Sequence, residues 1–163
     1  MTILVADDDR TLSHLMCTLL RDRGYGVIPV YDSMQTLMVA MRQPQPDLIL
    51  LDIHMPAGTG VQALGKLKSS ARTSQIPVIV ITGSIEPDIQ QRVESLGAVG
   101  FLYKPIDPEE FLTMVRRALG EVTEAPRADL DPAAETPAQS RDEGPAPGLP
   151  FVHGNHGYRH RPP

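Results

Sequence analysis

Between Pro46 and Gly60 the chain reads PDLILLDIHMPAGTG, an apolar run that ends on a carboxylate and breaks at once into Pro and Gly. Leu48, Ile49, Leu50 and Leu51 form too short a run for a buried helix and show no polar alternation. That pattern predicts a strand covered on both faces inside a parallel sheet. Parallel neighbours need long crossover connections, usually helices, so this one segment already restricts the chain to a layered α/β architecture. It also puts Asp52 at the carboxyl end of the strand, the edge where connecting loops diverge and ligands bind in open α/β sheets.

With this segment as one of them, the first 120 residues show five such strand–helix units. Ile3–Ala6 reads as a strand. Leu12, Leu15, Met16, Leu19 and Leu20 then mark one face of a helix stopping near Gly24. Val27–Val30 follows, with Pro29 removing a ladder donor and so predicting an edge strand. Met34, Leu37, Met38 and Met41 keep helical spacing and read as core filling. Beyond Asp52, Val61, Leu64 and Leu67 mark a third helix, and Pro77–Ile81 a fully buried strand ending on Thr82. Ile85, Ile89, Val93 and Leu96 give a fourth helix with its stop at Gly97, and Val99–Tyr103 a fifth strand running into Lys104. The last helix has Asp107 as cap, Pro108 at its first position, and Glu110 where a capping box places its acid; Phe111, Val115 and Leu119 continue its apolar face.

A chain of 163 residues, 41% hydrophobic, holds one domain of about 100 to 150 residues plus an appendage. Its formal net charge of -5 and lack of a basic cluster argue against direct nucleic-acid binding. No apolar stretch reaches the roughly 18 residues of a membrane span, and the N-terminus lacks signal-peptide character; the expectation is a cytoplasmic protein without membrane contact. Cys17, the only cysteine, excludes an intrachain disulfide, and its apolar flanks predict packing rather than reactivity. From Glu121 onward the periodicity fails and eight of the sixteen prolines are found, so residues 121–163 are expected to be a disordered tail with no output domain. His153, His156 and His160 within it lack the cysteines or helical register that would set a metal geometry.

With all five strands parallel, Asp7 and Asp8, Asp52, Thr82 and Lys104 each follow the carboxyl end of a different strand or close its tip, and they meet at one edge. Three carboxylates repel unless cations neutralise them. An all-oxygen, carboxylate-rich site suits Mg²⁺, which keeps several waters and accepts phosphoryl oxygens as further ligands. A carboxylate nucleophile, a metal, an ammonium and a hydroxyl at one point are the parts needed to move a phosphoryl group onto Asp. Capping explains one acid, Asp9, but not the other three.

ILVADDD, DLILLDIHMPAGTG, PVIVITG and GFLYKP, in that order, resemble the receiver domain of two-component response regulators over residues 1 to 120. The resemblance implies a flavodoxin-like, doubly wound five-stranded parallel sheet of order 2-1-3-4-5 with five helices. It implies Asp52 as phosphoacceptor, and Asp7, Asp8, Asp52 and the backbone carbonyl of His54 as Mg²⁺ ligands. Thr82 and Lys104 would hold phosphoryl oxygens, Phe101 would take the aromatic switch position, and the Lys104–Pro105 bond would be cis. The expected donor is a sensor histidine kinase or histidine phosphotransfer protein. The expected output is a protein target contacting the face of the fourth helix, fifth strand and fifth helix, with room for a phosphorylation-dependent homodimer. The chain would then be a single-domain signalling protein that assists its own phosphorylation and dephosphorylation rather than an enzyme. Gly58 and Thr59 depart from the bulky apolar residue and acid often found in the family, and His54 and Ser84 occupy the two variable positions that tune attack by water.

Two other readings remain at the level of sequence. Asp7, Asp9 and Thr11 spell DxDxT after a strand, which resembles a haloacid-dehalogenase-like phosphatase with Asp7 as nucleophile, but leaves Asp52 unexplained. A pseudo-receiver serving only as a docking module would not need the whole constellation.

Overall fold

The computed structural model describes residues 1–84 and 86–121. The expected disordered tail beyond Glu121, with His153, His156 and His160, lies outside the described residues, as does Ile85. Strands and helices alternate throughout: β1 (Thr2–Ala6), α1 (Arg10–Arg21), β2 (Gly26–Val30), α2 (Ser33–Ala40), β3 (Leu48–Asp52), α3 (Gly60–Ser69), β4 (Val78–Thr82), α4 (Ile89–Ser95), β5 (Gly100–Tyr103) and α5 (Pro108–Ala118). The sheet order is β2-β1-β3-β4-β5 and every neighbouring pair is parallel. This is the flavodoxin-like order that the resemblance to receiver domains implies. No described helix is long and apolar enough to cross a membrane.

Every residue of β3 and β4 is buried, as their unbroken apolar runs require. Alternate side chains go to opposite faces. Leu4, Ile49, Leu51, Val78 and Val80 pack on one side with Ala63, Leu64, Leu67, Ile89 and Val93 from α3 and α4. Ile3, Val5, Leu48, Leu50 and Ile79 pack on the other with Met16, Cys17 and Leu20 of α1 and Phe111, Leu112 and Val115 of α5. Burying each such aliphatic is worth roughly 1.5–3 kcal/mol, so the central strands anchor both layers and hold Asp52 and Thr82 at their tips. Pro29 lies in the edge strand, paired in register with Val5, where its missing amide is harmless.

Local capping chemistry sets the helix starts. Asp9 accepts from Thr11 N and Leu12 N, Asp107 from Glu109 N and Glu110 N, and Asp32 from Gln35 N. Each such cap is worth about 1 kcal/mol. Gly24 and Gly97 take positive φ just past α1 and α4, ending them where the sequence predicts.

Two helical faces depart from the sequence reading. In α1 the buried stripe is Ser13, Met16, Cys17 and Leu20, and Leu15 is exposed. In α2 the buried residues are Ser33, Thr36 and Ala40, whereas Met34, Met38 and Met41 are exposed rather than filling the core. Small residues on the inner face let α2 lie close to its neighbours, and Thr36 returns its hydroxyl to Asp32 O at 2.8 Å, so burying it leaves no polar group unpaired. Val99, expected to open the fifth strand, precedes β5 and is exposed.

Candidate functional site

Because all strands run the same way, Asp7 after β1, Asp52 closing β3, Thr82 closing β4 and Lys104 after β5 emerge at one edge. Asp7 and Asp52 are almost completely buried, and Asp8 is exposed. One carboxylate oxygen from each of the three lies within 4.8 Å of the others. Lys104 Nζ sits between the two buried acids, 2.6 Å from Asp52 Oδ2 and 2.9 Å from Asp7 Oδ2. Both contacts are ion pairs, and the one to Asp52 is the shorter.

The backbone orients what remains. Asp52 Oδ1 accepts from His54 N at 3.0 Å, and Asp7 Oδ1 from Asp9 N at 2.9 Å. Thr82 is fully buried; its Oγ1 accepts from Ser84 N at 3.0 Å, and its proton has no acceptor among the described residues. The Lys104–Pro105 peptide bond is cis. Phe101 is half-buried on the α3–α4 side and stacks edge-on against Tyr103, ring centroids 4.8 Å apart. A cleft of about 640 Å³ opens over the cluster between Asp8, Asp52, His54, Ser84, Glu86 and Lys104.

Burial pushes Asp7 above the usual carboxylate range, and the Asp52 charge adds to it; the hydrogen bond and charge of Lys104 and the Asp9 amide oppose this without cancelling it. Burial acts to lower Lys104, but its hydrogen bonds and charge interactions with Asp52 and Asp7 win and hold it above its ordinary value. The cluster is thus a surplus of negative charge held by one ammonium.

A carboxylate whose folded pKa is raised favours the folded chain below its unfolded pKa, and that contribution is lost as pH rises through the folded value. With metal chelated, Asp7→Asn therefore raises the melting temperature at pH 7, and the gain shrinks as pH falls into the carboxylate range. A lower melting temperature for the variant at neutral pH would contradict this account.

Several positioning features have no local sequence signal. Gly60 N donates to Ile53 O at 2.8 Å, folding the start of α3 back onto the end of β3. A Cβ at Gly60 would lie 2.1 Å from Asp52 O. Ser33, buried at the start of α2, donates to Gly58 O at 2.8 Å, and its amide donates to Pro56 O at 3.2 Å, so α2 ties down the loop beside Asp52. Ala57 and Gly58 take positive φ in that loop. Thr59, where the family often has an acid, caps α3 through Gln62 N. Glu86 reaches the cleft from a loop whose residues carry no motif.

Over residues 3–116 the chain matches the response regulator receiver domain. It belongs to that family. PhoB, the phosphate regulon transcriptional regulatory protein of Klebsiella pneumoniae, is 31% identical over 140 residues, 81% of this chain and 61% of PhoB. The chain thus spans about three-fifths of that relative's length. Among solved structures, the chemotaxis response regulator CheY4 of Vibrio cholerae matches with TM-score 0.66 and 27% identity, covering 72% of this chain and 97% of CheY4. The receiver domain of sensor histidine kinase PA1611 from Pseudomonas aeruginosa PAO1 matches equally, at TM-score 0.66 and 27% identity over 73% of this chain and 97% of its own. That structure has a magnesium ion coordinated in its active site cleft.

The residues here fit a small hard cation on their own account, since the three gathered ligand atoms are all carboxylate oxygens and one ammonium is shared between the two buried acids. The match to the receiver domain over residues 3–116 displaces the phosphatase reading, and Asp9, the second acid of DxDxT, caps α1 through Oδ1.

Proposed function

We propose that this receiver takes a phosphoryl group onto Asp52 from a phosphohistidine of a sensor histidine kinase or histidine phosphotransfer protein. The observation that carries the reading is Asp52 itself: a carboxylate at the tip of a central strand, one oxygen held by the His54 amide and the other by Lys104, facing an open cleft. An Asp52 oxygen attacks phosphorus, the phosphorus–nitrogen bond to the donor imidazole breaks, and the electron pair leaves with the imidazole. Lys104 offsets the charge on the transferred group, and the Thr82 hydroxyl, its proton uncommitted, donates to a phosphoryl oxygen. Catalysis is positioning and electrostatics, supplied by groups already in place.

Asp7, Asp8, Asp52 and the His54 carbonyl are the residues that would hold Mg²⁺, which would neutralise the acids and accept a phosphoryl oxygen. Mg²⁺ at ten times its Kd is expected to stabilise the chain by about 1.4 kcal/mol, and Asp7→Asn to remove that increment. Once Thr82 turns toward the phosphoryl group, Phe101 moves into the space it leaves, and the surface of α4, β5 and α5 shifts between two populations. The exposed Val99 and Tyr103 on that surface are where a protein target, or a second copy, would read the change.

Intact mass and peptide mapping after incubation with acetyl phosphate and Mg²⁺ test the reading. One alkali-labile phosphoryl group on Asp52 is expected. A group on Asp7 instead, or none with Mg²⁺ shown to bind, would overturn it.

A further inference from the structure

The loop 53–59 carries the His54 amide that orients Asp52 and the His54 carbonyl that would hold Mg²⁺. Its ends are tied to the strand and to each other: His54 N donates to Asp52 Oδ1 at 3.0 Å, and Gly60 N to Ile53 O at 2.8 Å. Ile53 and Met55 are buried, whereas Pro56, Ala57, Gly58 and Thr59 are exposed. Within that exposed half Ala57 has φ 61° and Gly58 φ 115°. A non-glycine residue stays in the left-handed region only where its surroundings hold it there.

That hold comes from α2. Ser33 Oγ donates to Gly58 O at 2.8 Å, and Ser33 N donates to Pro56 O at 3.2 Å. Among the described residues these are the only hydrogen bonds made to positions 56–58. Ser33 is itself buried, and its helix is fixed to the domain: Thr36 and Ala40 are fully buried, Leu37 and Val39 pack against the core, and Asp32 caps the start. Gly58, where the family often has a bulky apolar residue, explains why a polar clamp is needed. A Cβ there would lie 3.4 Å from Gln62 Oε1 and 3.9 Å from Ser33 Cβ, so a side chain would pack toward these two residues. Without one, the loop is fixed at this point by a hydrogen bond. Because Ile53 and Gly60 are bonded to each other, the loop is a closed ring. A dihedral change at 57 or 58 has to be compensated within 54–56, the part that bears the His54 amide and carbonyl.

We propose that Ser33 is a positioning residue for Asp52. Through Gly58 it holds the loop so that the His54 amide stays on Asp52 Oδ1 and the His54 carbonyl is kept in place for Mg²⁺. The second effect rests on the metal reading of the acid cluster; the first does not.

The test is amide hydrogen exchange of the full chain in EDTA, read at His54, followed by Mg²⁺ titration. Ser33→Ala is expected to speed His54 exchange about fivefold and to raise the Kd for Mg²⁺ about fivefold, the loss of one hydrogen bond. Thr36→Val is the control. It removes another buried hydroxyl of α2 at nearly constant volume, and the carbonyl that hydroxyl served, Asp32 O, still accepts from Thr36 N at 3.1 Å. It lowers the melting temperature as Ser33→Ala does but leaves His54 exchange and the Kd at parental values, a separation that a merely structural serine does not produce. His54 exchange unchanged in Ser33→Ala, equal acceleration in Thr36→Val, or unchanged Mg²⁺ affinity in a chain that binds the ion would each overturn the proposal. Faster His54 exchange in Ser33→Ala alone, with no Mg²⁺ binding even by the parent chain, would support the positioning role and overturn the metal reading instead.

Discussion

Asp52→Asn is expected to bring phosphoryl incorporation from acetyl phosphate down to background while the fold survives. The amide has nearly the shape of the carboxylate, so its oxygen can still accept from the His54 amide that now orients Oδ1. It has no anionic oxygen to attack phosphorus and offers a neutral partner to the Lys104 ammonium. Lys104 keeps Asp7 as its ion-pair partner. The Asp52 charge is also one of the causes that raise Asp7, so removing it relieves repulsion inside a buried cluster. The melting temperature of the variant in EDTA should equal or exceed that of the parent chain. Loss of labelling together with retained or increased stability identifies Asp52 as the acceptor, because unfolding cannot explain it. Labelling that persists in the variant would remove Asp52 from the role assigned to it.

Gly60→Ala and Gly65→Ala, five residues apart in α3, are expected to move stability in opposite directions. At Gly60 an added Cβ would meet Asp52 O at 2.1 Å, Ile53 Cα at 2.6 Å and Asp52 C at 2.9 Å, all backbone atoms of the segment that carries the candidate acceptor. Backbone at the end of a fully buried strand cannot yield without displacing β3 or α3. The cost is about 3 kcal/mol or more, a drop in melting temperature on the order of 10 °C. Phosphorylation should slow as well, because the same shift moves Asp52 relative to Lys104. At Gly65 a Cβ meets nothing within 4 Å, and alanine there stabilises the helix by about 0.5–1 kcal/mol. Chemical denaturation of the two variants beside the parent measures both signs. Equal effects would mean that α3 does not pack on Asp52 as described.

What could be read ahead of the structure was governed by short-range rules. The runs LILL and VIVI are strands buried on both faces because no polar residue interrupts them, and the strand order agrees with the family the motifs resemble. Asp9 and Asp107 cap helices because a short carboxylate reaches amides two and three residues ahead. The face of α2 misled because apolar spacing alone does not say how close a helix must approach its neighbours. The methionines satisfy the period, yet Thr36 and Ala40 are the residues that fit inside. Leu15 misled for a related reason, since Ser13, Met16, Cys17 and Leu20 form the buried stripe of α1.

The sequence by itself determined the layered α/β class, the edge position of the strand containing Pro29, the helix caps, and the gathering of Asp7, Asp8, Asp52, Thr82 and Lys104 at one sheet edge. Each follows from periodicity, from chemistry within a few residues, or from the single fact that all strands run the same way. Only the tertiary structure decided that Lys104 reaches back 52 residues to hold Asp52 and sits between it and Asp7. It alone showed that Ser33 fastens the loop beside Asp52 and that Gly60 leaves no room for a side chain. These depend on strand register and on how closely helices settle on the sheet, which are properties of packing between segments far apart in the chain.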